Sequence, residues 1–315
     1  MGAESDYLVI GDPLAHTLSP RLHGALFEEL RKQGYGEAAN ASYGAVRVTP
    51  EQLEASVRDI RAGFVKGFNV TIPHKQTIVP FLDELRGDAA LAGAVNTVVR
   101  DARGVPAEGD NLIGYNTDME GLKLALEARG RSYAGANVTV CGTGGAAAGV
   151  VCKAALEGAA KIVMIGRKED AAARIREAAI SAVPAPASPG TEGASAPRVD
   201  FVRHDFSEGA ESPELDEALA GTDIFINATP LGMDGTSHRF ASFCFIEKLS
   251  KGAFVYDLVY KPRETALVRA ARERGLGAEG GLSMLVCQAM LSDELFLGVK
   301  ADSPALYEAV RDKVV

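Results

Sequence analysis

Cysteine is scarce in this chain of 315 residues: Cys141, Cys152, Cys244 and Cys287 are scattered through apolar segments. None of them forms a C-x-x-C pair or a Cys/His spacing suited to zinc, so a metal centre and a disulfide framework are both unexpected, and buried free thiols are the natural reading. Long apolar runs are missing too. No stretch approaches the ~18 to 20 residues that a membrane helix needs, which excludes a membrane partner from the expectations. Basic charge is in deficit: 33 Lys and Arg stand against 42 Asp and Glu, a net charge of −9. Such a surface repels polyphosphate backbones, so no nucleic-acid partner is expected. The N-terminal residues Met1 to Tyr7 have no basic start and no long apolar stretch, and Asp6 spoils a myristoylation pattern. A cytoplasmic protein is expected. No block is repeated, which removes solenoid architectures.

What the chain does contain is an ordinary globular composition, 47% hydrophobic and 24% charged, long enough for two domains of about 150 residues each. One stretch organises the rest: Val138-Thr139-Val140-Cys141 followed by Gly142-Thr143-Gly144-Gly145-Ala146. It reads as strand, tight turn and alanine-rich helix. Such a turn lets a dinucleotide pyrophosphate approach the backbone at the positive end of the next helix. The pattern is not a literal G-x-G-x-x-G, so context decides. Apolar runs at Lys161–Ile165, Val199–Val202, Asp223–Asn227 and Ala253–Asp257 alternate with helical stretches, which predicts a doubly wound parallel sheet whose first strand ends at Gly142. About 20 residues past the turn lies Gly166-Arg167-Lys168-Glu169-Asp170. Arg167 and Lys168 suit a 2′-phosphate and favour NADP, while Glu169 and Asp170 either meet a free ribose hydroxyl and admit NAD or cap the next helix. The segment Ala182–Arg198, with four prolines and two glycines, is expected to be an insertion loop on the sheet edge remote from the strand carboxyl ends, without a chemical role.

The first half holds the remaining polar motifs. Thr17 and Ser19 precede Pro20 at the start of a helical pattern (Leu22, Leu26, Leu30), so Ser19 is either an N-cap or one of two hydroxyls presented to a polyhydroxylated or carboxylate ligand. Phe68–Ile72 alternates like a strand, with Asn69 and Thr71 on one face; Pro73 stops it, and Lys75 follows as a surface charge or a functional amine. Asn96 and Asp118 end short glycine-marked stretches, and Asp118 competes as an N-cap for the helix carrying Met119, Leu122 and Leu126.

Taken in order, Ser19-Pro20, Asn69-Val70-Thr71-Ile72-Pro73-His74-Lys75, Gly93-Ala94-Val95-Asn96-Thr97, Gly114-Tyr115-Asn116-Thr117-Asp118, Gly142-Thr143-Gly144-Gly145-Ala146, Asn227-Ala228-Thr229-Pro230-Leu231-Gly232-Met233, Tyr256-Asp257-Leu258-Val259-Tyr260 and Gly281-Leu282-Ser283-Met284-Leu285-Val286-Cys287-Gln288 resemble the shikimate dehydrogenase family, including its quinate/shikimate branch. The resemblance covers nearly the whole chain. It implies an α/β protein of two domains, an N-terminal α/β substrate domain (1–118 plus 282–315, discontinuous because the C-terminal helix returns to it) and a doubly wound Rossmann NAD(P)-binding domain (119–281). It implies reversible NADP-linked reduction of 3-dehydroshikimate to shikimate without a metal, some members also oxidising quinate with NAD.

Carried over residue by residue, the resemblance makes Lys75 and Asp118 the catalytic pair and Ser19, Asn69, Thr71, Asn96, Tyr260 and Gln288 substrate ligands. Thr17 stands where the family usually has serine; its extra methyl is expected to narrow the pocket and shift shikimate against quinate preference. Gly142, Thr143, Gly144, Gly145, Ala146, Arg167, Lys168, Asp170, Asn227, Thr229, Met233, Asp257 and Gly281 are expected on the cofactor side. The chemistry agrees with these residue types: oxidising a secondary alcohol needs a base at its hydroxyl and reducing the ketone an acid at the same oxygen, and one desolvated lysine beside a carboxylate can serve both ways. The rival readings are a quinate/shikimate enzyme using NAD and, from another class, a nonenzymatic nucleotide-binding regulator. Oligomeric state is left open, with a homodimer among the options.

Overall fold

A computed structural model describes residues 5–14, 17–101, 111–183, 197–209 and 212–313. The core of the expected insertion, 184–196, lies outside the described residues. The chain divides into two compact units, Met1–Leu122 with Val286–Val315, and Lys123–Leu285.

The first unit runs β1 (Tyr7–Gly11), α1 (Ser19–Lys32), β2 (Tyr43–Arg47), α2 (Leu53–Asp59), β3 (Gly67–Val70), α3 (His74–Thr77), β4 (Glu84–Leu85), α4 (Asp88–Ala92), β5 (Thr97–Asp101), β6 (Asn111–Tyr115) and the start of α5 (Thr117–Glu127). Its strands form one mixed sheet in the order β2-β1-β3-β5-β6-β4. The β2-β1-β3 half is parallel, and β5 runs antiparallel to both β3 and β6. Leu8, Ile10, Phe68, Val70 and Val98 join Leu53, Val57 and Ile60 of the α2 segment in one apolar core, the alternate side chains of each strand supplying one face.

Three local expectations change here. Ser19 does not cap α1: it is already helical, Leu18 holds the cap position without a side-chain bond, and the Ser19 N–H goes back to Thr17 Oγ1 at 3.3 Å. The strand through Asn69 stops at Val70 rather than Ile72. Thr71 still donates its N–H to the Ile10 carbonyl, but Ile72 turns outward and is 72% exposed, because the chain has already begun the bend that Pro73 completes. Lys75 consequently sits on the short helix α3.

The second unit continues with β7 (Asn137–Cys141), α6 (Gly145–Leu156), β8 (Lys161–Gly166), α7 (Glu169–Ala182), β9 (Arg198–Arg203), α8 (Pro213–Ala220), β10 (Ile224–Asn227), β11 (Phe254–Asp257), α9 (Ala266–Glu273), β12 (Gly277–Gly280) and the start of α10 (Leu282–Leu297); α11 (Ser303–Val310) lies in the first unit. Its sheet order is β12-β11-β10-β7-β8-β9, and every pair is parallel. Numbered from β7, this is the 3-2-1-4-5-6 order of dinucleotide-binding sheets, with the order reversing between β7 and β10. Ligands of such sheets bind outside the carboxyl ends at that switch point, which is where Gly142 and Asn227 fall. The strand β12 has no apolar run of its own, and only its pairing with β11 marks it. Among the described residues, no helix is long and apolar enough to cross a membrane.

Candidate active site

The first unit brings its polar motifs together. Lys75 Nζ lies 2.6 Å from Asp118 Oδ2, an ion pair about one-third and one-quarter exposed. Both partners are pinned by backbone: the Lys75 carbonyl accepts the Val95 N–H at 2.7 Å, and Asp118 occupies the second position of α5. The capping reading of Asp118 therefore fails. Asn116 Oδ1 accepts the Asp118 N–H at 3.1 Å, the bond an N-cap side chain makes, and the Asp118 carboxylate is left to the lysine.

Behind this pair lies a closed network of amides and hydroxyls. Asn96 Oδ1 accepts the Thr117 N–H at 2.8 Å, and Asn96 Nδ2 donates to Thr117 Oγ1 at 2.9 Å and towards Gln288 Oε1 at 3.3 Å. Asn69 Nδ2 reaches the Asn96 carbonyl, Thr97 Oγ1 and Ser292 Oγ within 3.1 Å. Gln288 and Ser292 sit one turn apart on α10, so a single helix face delivers both. α10 comes this close to α5 because residue 121 is glycine: an added Cβ would stand 2.8 Å from the Gln288 nitrogen. Thr17 Oγ1 and Ser19 Oγ lie 3.2 Å apart as a hydroxyl pair at the head of α1, and Thr71 is half-buried beyond β3. Thr97, Thr117 and Ser292 were not singled out from sequence. The threonines stood inside quoted motifs, whereas Ser292 had only its spacing of four from Gln288.

In the second unit, Gly142 has φ +123°, and a side chain there would crowd the Ala228 carbonyl and the Thr229 methyl. Its N–H donates to the Ile165 carbonyl at 2.8 Å, so the turn closes over the end of β8. Thr143 Cγ2 packs over Gly166, where a Cβ would come within 3.0 Å of it. Gly144 precedes α6 in extended conformation, and Gly144, Gly145 and Ala146 are exposed with no acidic residue in the first turn. This leaves the opening N–H groups of α6 without an anionic competitor on their own helix.

At the tip of β8, Arg167 is 71% exposed, with Nη1 3.5 Å from Asp205 Oδ2. Burial works to raise the Asp205 pKa, but hydrogen bonds from Ser207 and the charge of Arg167 outweigh it and hold the carboxyl below its usual range. Lys168 holds the N-cap position of α7 with extended backbone; Glu169 and Asp170 lie inside its first turn rather than capping it, and Asp170 pairs with Arg174 along the helix.

Asn227 and Asp257 end neighbouring strands and are fully buried, with their polar atoms turned on the protein itself. Asn227 Nδ2 donates to Asp257 Oδ1 at 2.8 Å, while its Oδ1 accepts from the Thr229 N–H and hydroxyl. Asp257 also accepts from Val259 N and Thr265 Oγ1. Met233 and Tyr260 are surface residues on the loops after these strands. Gly281 admits no Cβ, which would overlap the Leu258 carbonyl.

Residues 9–98 match the family model described as the shikimate dehydrogenase substrate binding domain. A shikimate dehydrogenase (NADP(+)) of Symbiobacterium thermophilum is 37% identical over 294 residues, covering 92% of this chain and 88% of that one. Among solved structures, a 5-ketofructose reductase of Gluconobacter sp. strain CHM43 superposes with a TM-score of 0.77 at 27% identity, covering 97% of each chain. A shikimate 5-dehydrogenase from Listeria monocytogenes, solved with shikimate and NAD, superposes with a TM-score of 0.76 at 30% identity and 96% coverage of each. With more than a third of its residues shared along almost its full length with such a relative, the chain belongs to the shikimate dehydrogenase family.

Proposed function

We propose that this protein is a shikimate dehydrogenase, catalysing the reversible NADP-dependent reduction of 3-dehydroshikimate to shikimate. The observation that carries the reading is the Lys75–Asp118 pair at 2.6 Å beside an otherwise uncharged amide and hydroxyl network. Lys75 is the acid/base at the oxygen that alternates between ketone and alcohol. Asp118 holds the lysine in place and keeps the shared proton near it. Thr17, Ser19, Asn69, Thr71, Asn96 and Gln288 of the first unit recognise the hydroxyls and carboxylate of the substrate, and Tyr260 is assigned as a substrate ligand by its motif alone. A substrate domain is thus assigned to the first unit and the NADP-binding domain to the second.

Residues of the second unit fit a dinucleotide by their chemistry: open N–H groups at the head of α6, small residues Gly142 to Ala146 beside them, and the cations Arg167 and Lys168 at the tip of β8 for a 2′-phosphate. When bound, the dinucleotide supplies or takes up the hydride. Thr229, Met233 and Gly281 line the cofactor side, and Asn227 and Asp257 serve it as positioning residues that fix the shape of the Asn227–Gly232 and Asp257–Tyr260 turns. Asp170, engaged with Arg174, has the weakest claim on the ribose.

A quinate/shikimate enzyme accepting NAD is the second reading, and Asp205 favours it, because that carboxylate stands where Arg167 would otherwise be free for a phosphate. A cytoplasmic location and a homodimer accompany the primary reading. Steady-state kcat/KM for shikimate and quinate, each with NADP and with NAD, tests it. The expected result is turnover of shikimate with an NADP preference of more than about tenfold, roughly 1.4 kcal/mol. A smaller preference moves the assignment to the NAD-accepting branch, and substrate binding without any turnover would restore the nonenzymatic regulator.

A further inference from the structure

Asn69 is the member of the first unit's network whose amide has the least freedom. Its Nδ2 carries two protons and faces three oxygen atoms, one of them the Asn96 carbonyl, which can only accept. The nitrogen side is thereby fixed, and Oδ1 must face the other way. There it meets the Tyr43 hydroxyl at 2.5 Å. Tyr43 comes from β2, at the edge of the sheet, on the far side of β1 from β3. Burial, and then the charge of Asp293, push its pKa well above the usual tyrosine value, so the hydroxyl keeps a proton to donate at any working pH.

The ring of Tyr43 is itself held from behind. Its face stacks on the His23 imidazole with centroids 3.9 Å apart and planes within 6°. His23 Nδ1 in turn makes a 2.6 Å contact with Asp293 Oδ1, and these two side chains are 1% and 0% exposed. A buried pair of this kind seldom adds net stability over an apolar pair of the same volume, because desolvation offsets the attraction. Here one carboxylate oxygen, Asp293 Oδ2, even lacks a hydrogen-bond partner. What the pair does achieve is orientation: it fixes the imidazole plane, and the stack carries that plane to Tyr43.

We propose that Tyr43 is a positioning residue for substrate binding, its hydroxyl bracing at Oδ1 the Asn69 amide orientation that the Asn96 carbonyl selects, while the buried His23–Asp293 pair holds the tyrosine ring for that task. The inference rests on the reading of the first unit as the shikimate side. An asparagine can present either a donor or an acceptor to a sugar-like hydroxyl, and a flipped amide offers the wrong one. The Asn96 carbonyl excludes the flipped amide, and the Tyr43 hydroxyl, donating to Oδ1, holds the surviving presentation in place.

Tyr43→Phe keeps the ring and the stack and deletes the donor. The expected result is a rise of about tenfold in KM for shikimate, with KM for NADP and the melting temperature close to wild type, since one neutral hydrogen bond is worth up to about one order of magnitude. In an Asn69→Ala background the same change should alter KM by less than about twofold, because the residue it acts through is gone. His23→Phe combined with Asp293→Leu removes the pair as a unit and should raise the same KM. A shikimate KM unmoved by Tyr43→Phe, an equal rise in the Asn69→Ala background, or parallel changes in both KM values and the melting temperature would overturn the role of Tyr43. An unmoved KM in the double variant would overturn that of the pair. Absence of shikimate turnover by the wild-type protein removes the underlying reading, and this inference with it. Normal wild-type turnover with an indifferent Tyr43→Phe removes this inference alone.

Discussion

At the scale of single residues, the proposed chemistry rests on an amine and a carboxylate that are 43 positions apart in the chain and 2.6 Å apart in space. Replacing Lys75 by Met keeps most of its volume and removes the proton carrier. A fall in kcat of about 10² to 10⁴ is expected, the usual weight of a positioned acid/base, and near-normal steady-state turnover would remove Lys75 from that role. His23 makes a separate point about stability. His23→Ala leaves the Asp293 carboxylate buried without its partner, and such a loss costs about 3–5 kcal/mol, readable as a shift in the urea midpoint of the variant. Lys75 and Asp118 stood out in the sequence because each sits in a motif whose neighbours are uncommon in combination, and the fold brings the two side chains together. The cap reading of Asp118 could be settled only by knowing that Asn116 takes the Asp118 N–H. Tyr43, His23 and Ser292 were not legible at all: an isolated tyrosine, histidine or serine on an amphipathic element has no distinguishing pattern, and each acts through a partner brought near by the fold.

Elements rather than residues explain where the strand ends fall. The doubly wound sheet was readable from its buried apolar runs, since a strand covered on both faces needs no alternation. β12 escaped because Gly277–Gly280 holds too little apolar surface to announce itself, and it becomes a strand only as the outer neighbour of β11. The tips of β10 and β11 carry a titration. Burial raises the Asp257 pKa to about 6 despite hydrogen bonds from Thr265, Val259 and Asn227 that act to lower it. A carboxyl whose folded pKa lies above its unfolded value binds more protons in the folded state between the two, so its contribution to stability is full below about pH 4 and is lost as pH rises through about 6. Urea unfolding of wild type and Asp257→Asn between pH 4 and 7 should show wild type losing stability relative to the variant as pH rises; parallel curves would contradict it. Where α5 meets α10, Gly121→Ala would press a methyl against the Gln288 backbone. A loss of about 1–3 kcal/mol is expected from that overpacking, together with a raised KM for shikimate as Gln288 is displaced.

For the whole molecule, the two units differ in how the chain builds them: residues 123–285 form one without interruption, whereas the other joins residues 1–122 to residues 286–315. NADP+ should stabilise the protein through the unit that binds it, by about 2.7 kcal/mol at a hundred times its Kd, and the thermal shift should persist in Lys75→Met and be smaller with NAD+ at equal concentration. A shift of equal size with both nucleotides would argue against discrimination at Arg167.

The interrupted unit also imposes an order on biosynthesis. Gln288, Ser292, Asp293 and Phe296 are made after the entire uninterrupted unit, yet they complete the network around Asn69, hold His23 and stack on Tyr7. At about 5–20 residues per second the N-terminal half-unit waits on the order of ten seconds or more for them, while the intervening unit can already fold behind it. Until those residues emerge from the ribosome, Asn69 and Asn96 lack the α10 side chains that close their network, so the polar cluster of the first unit is completed last, after the unit inserted in its middle.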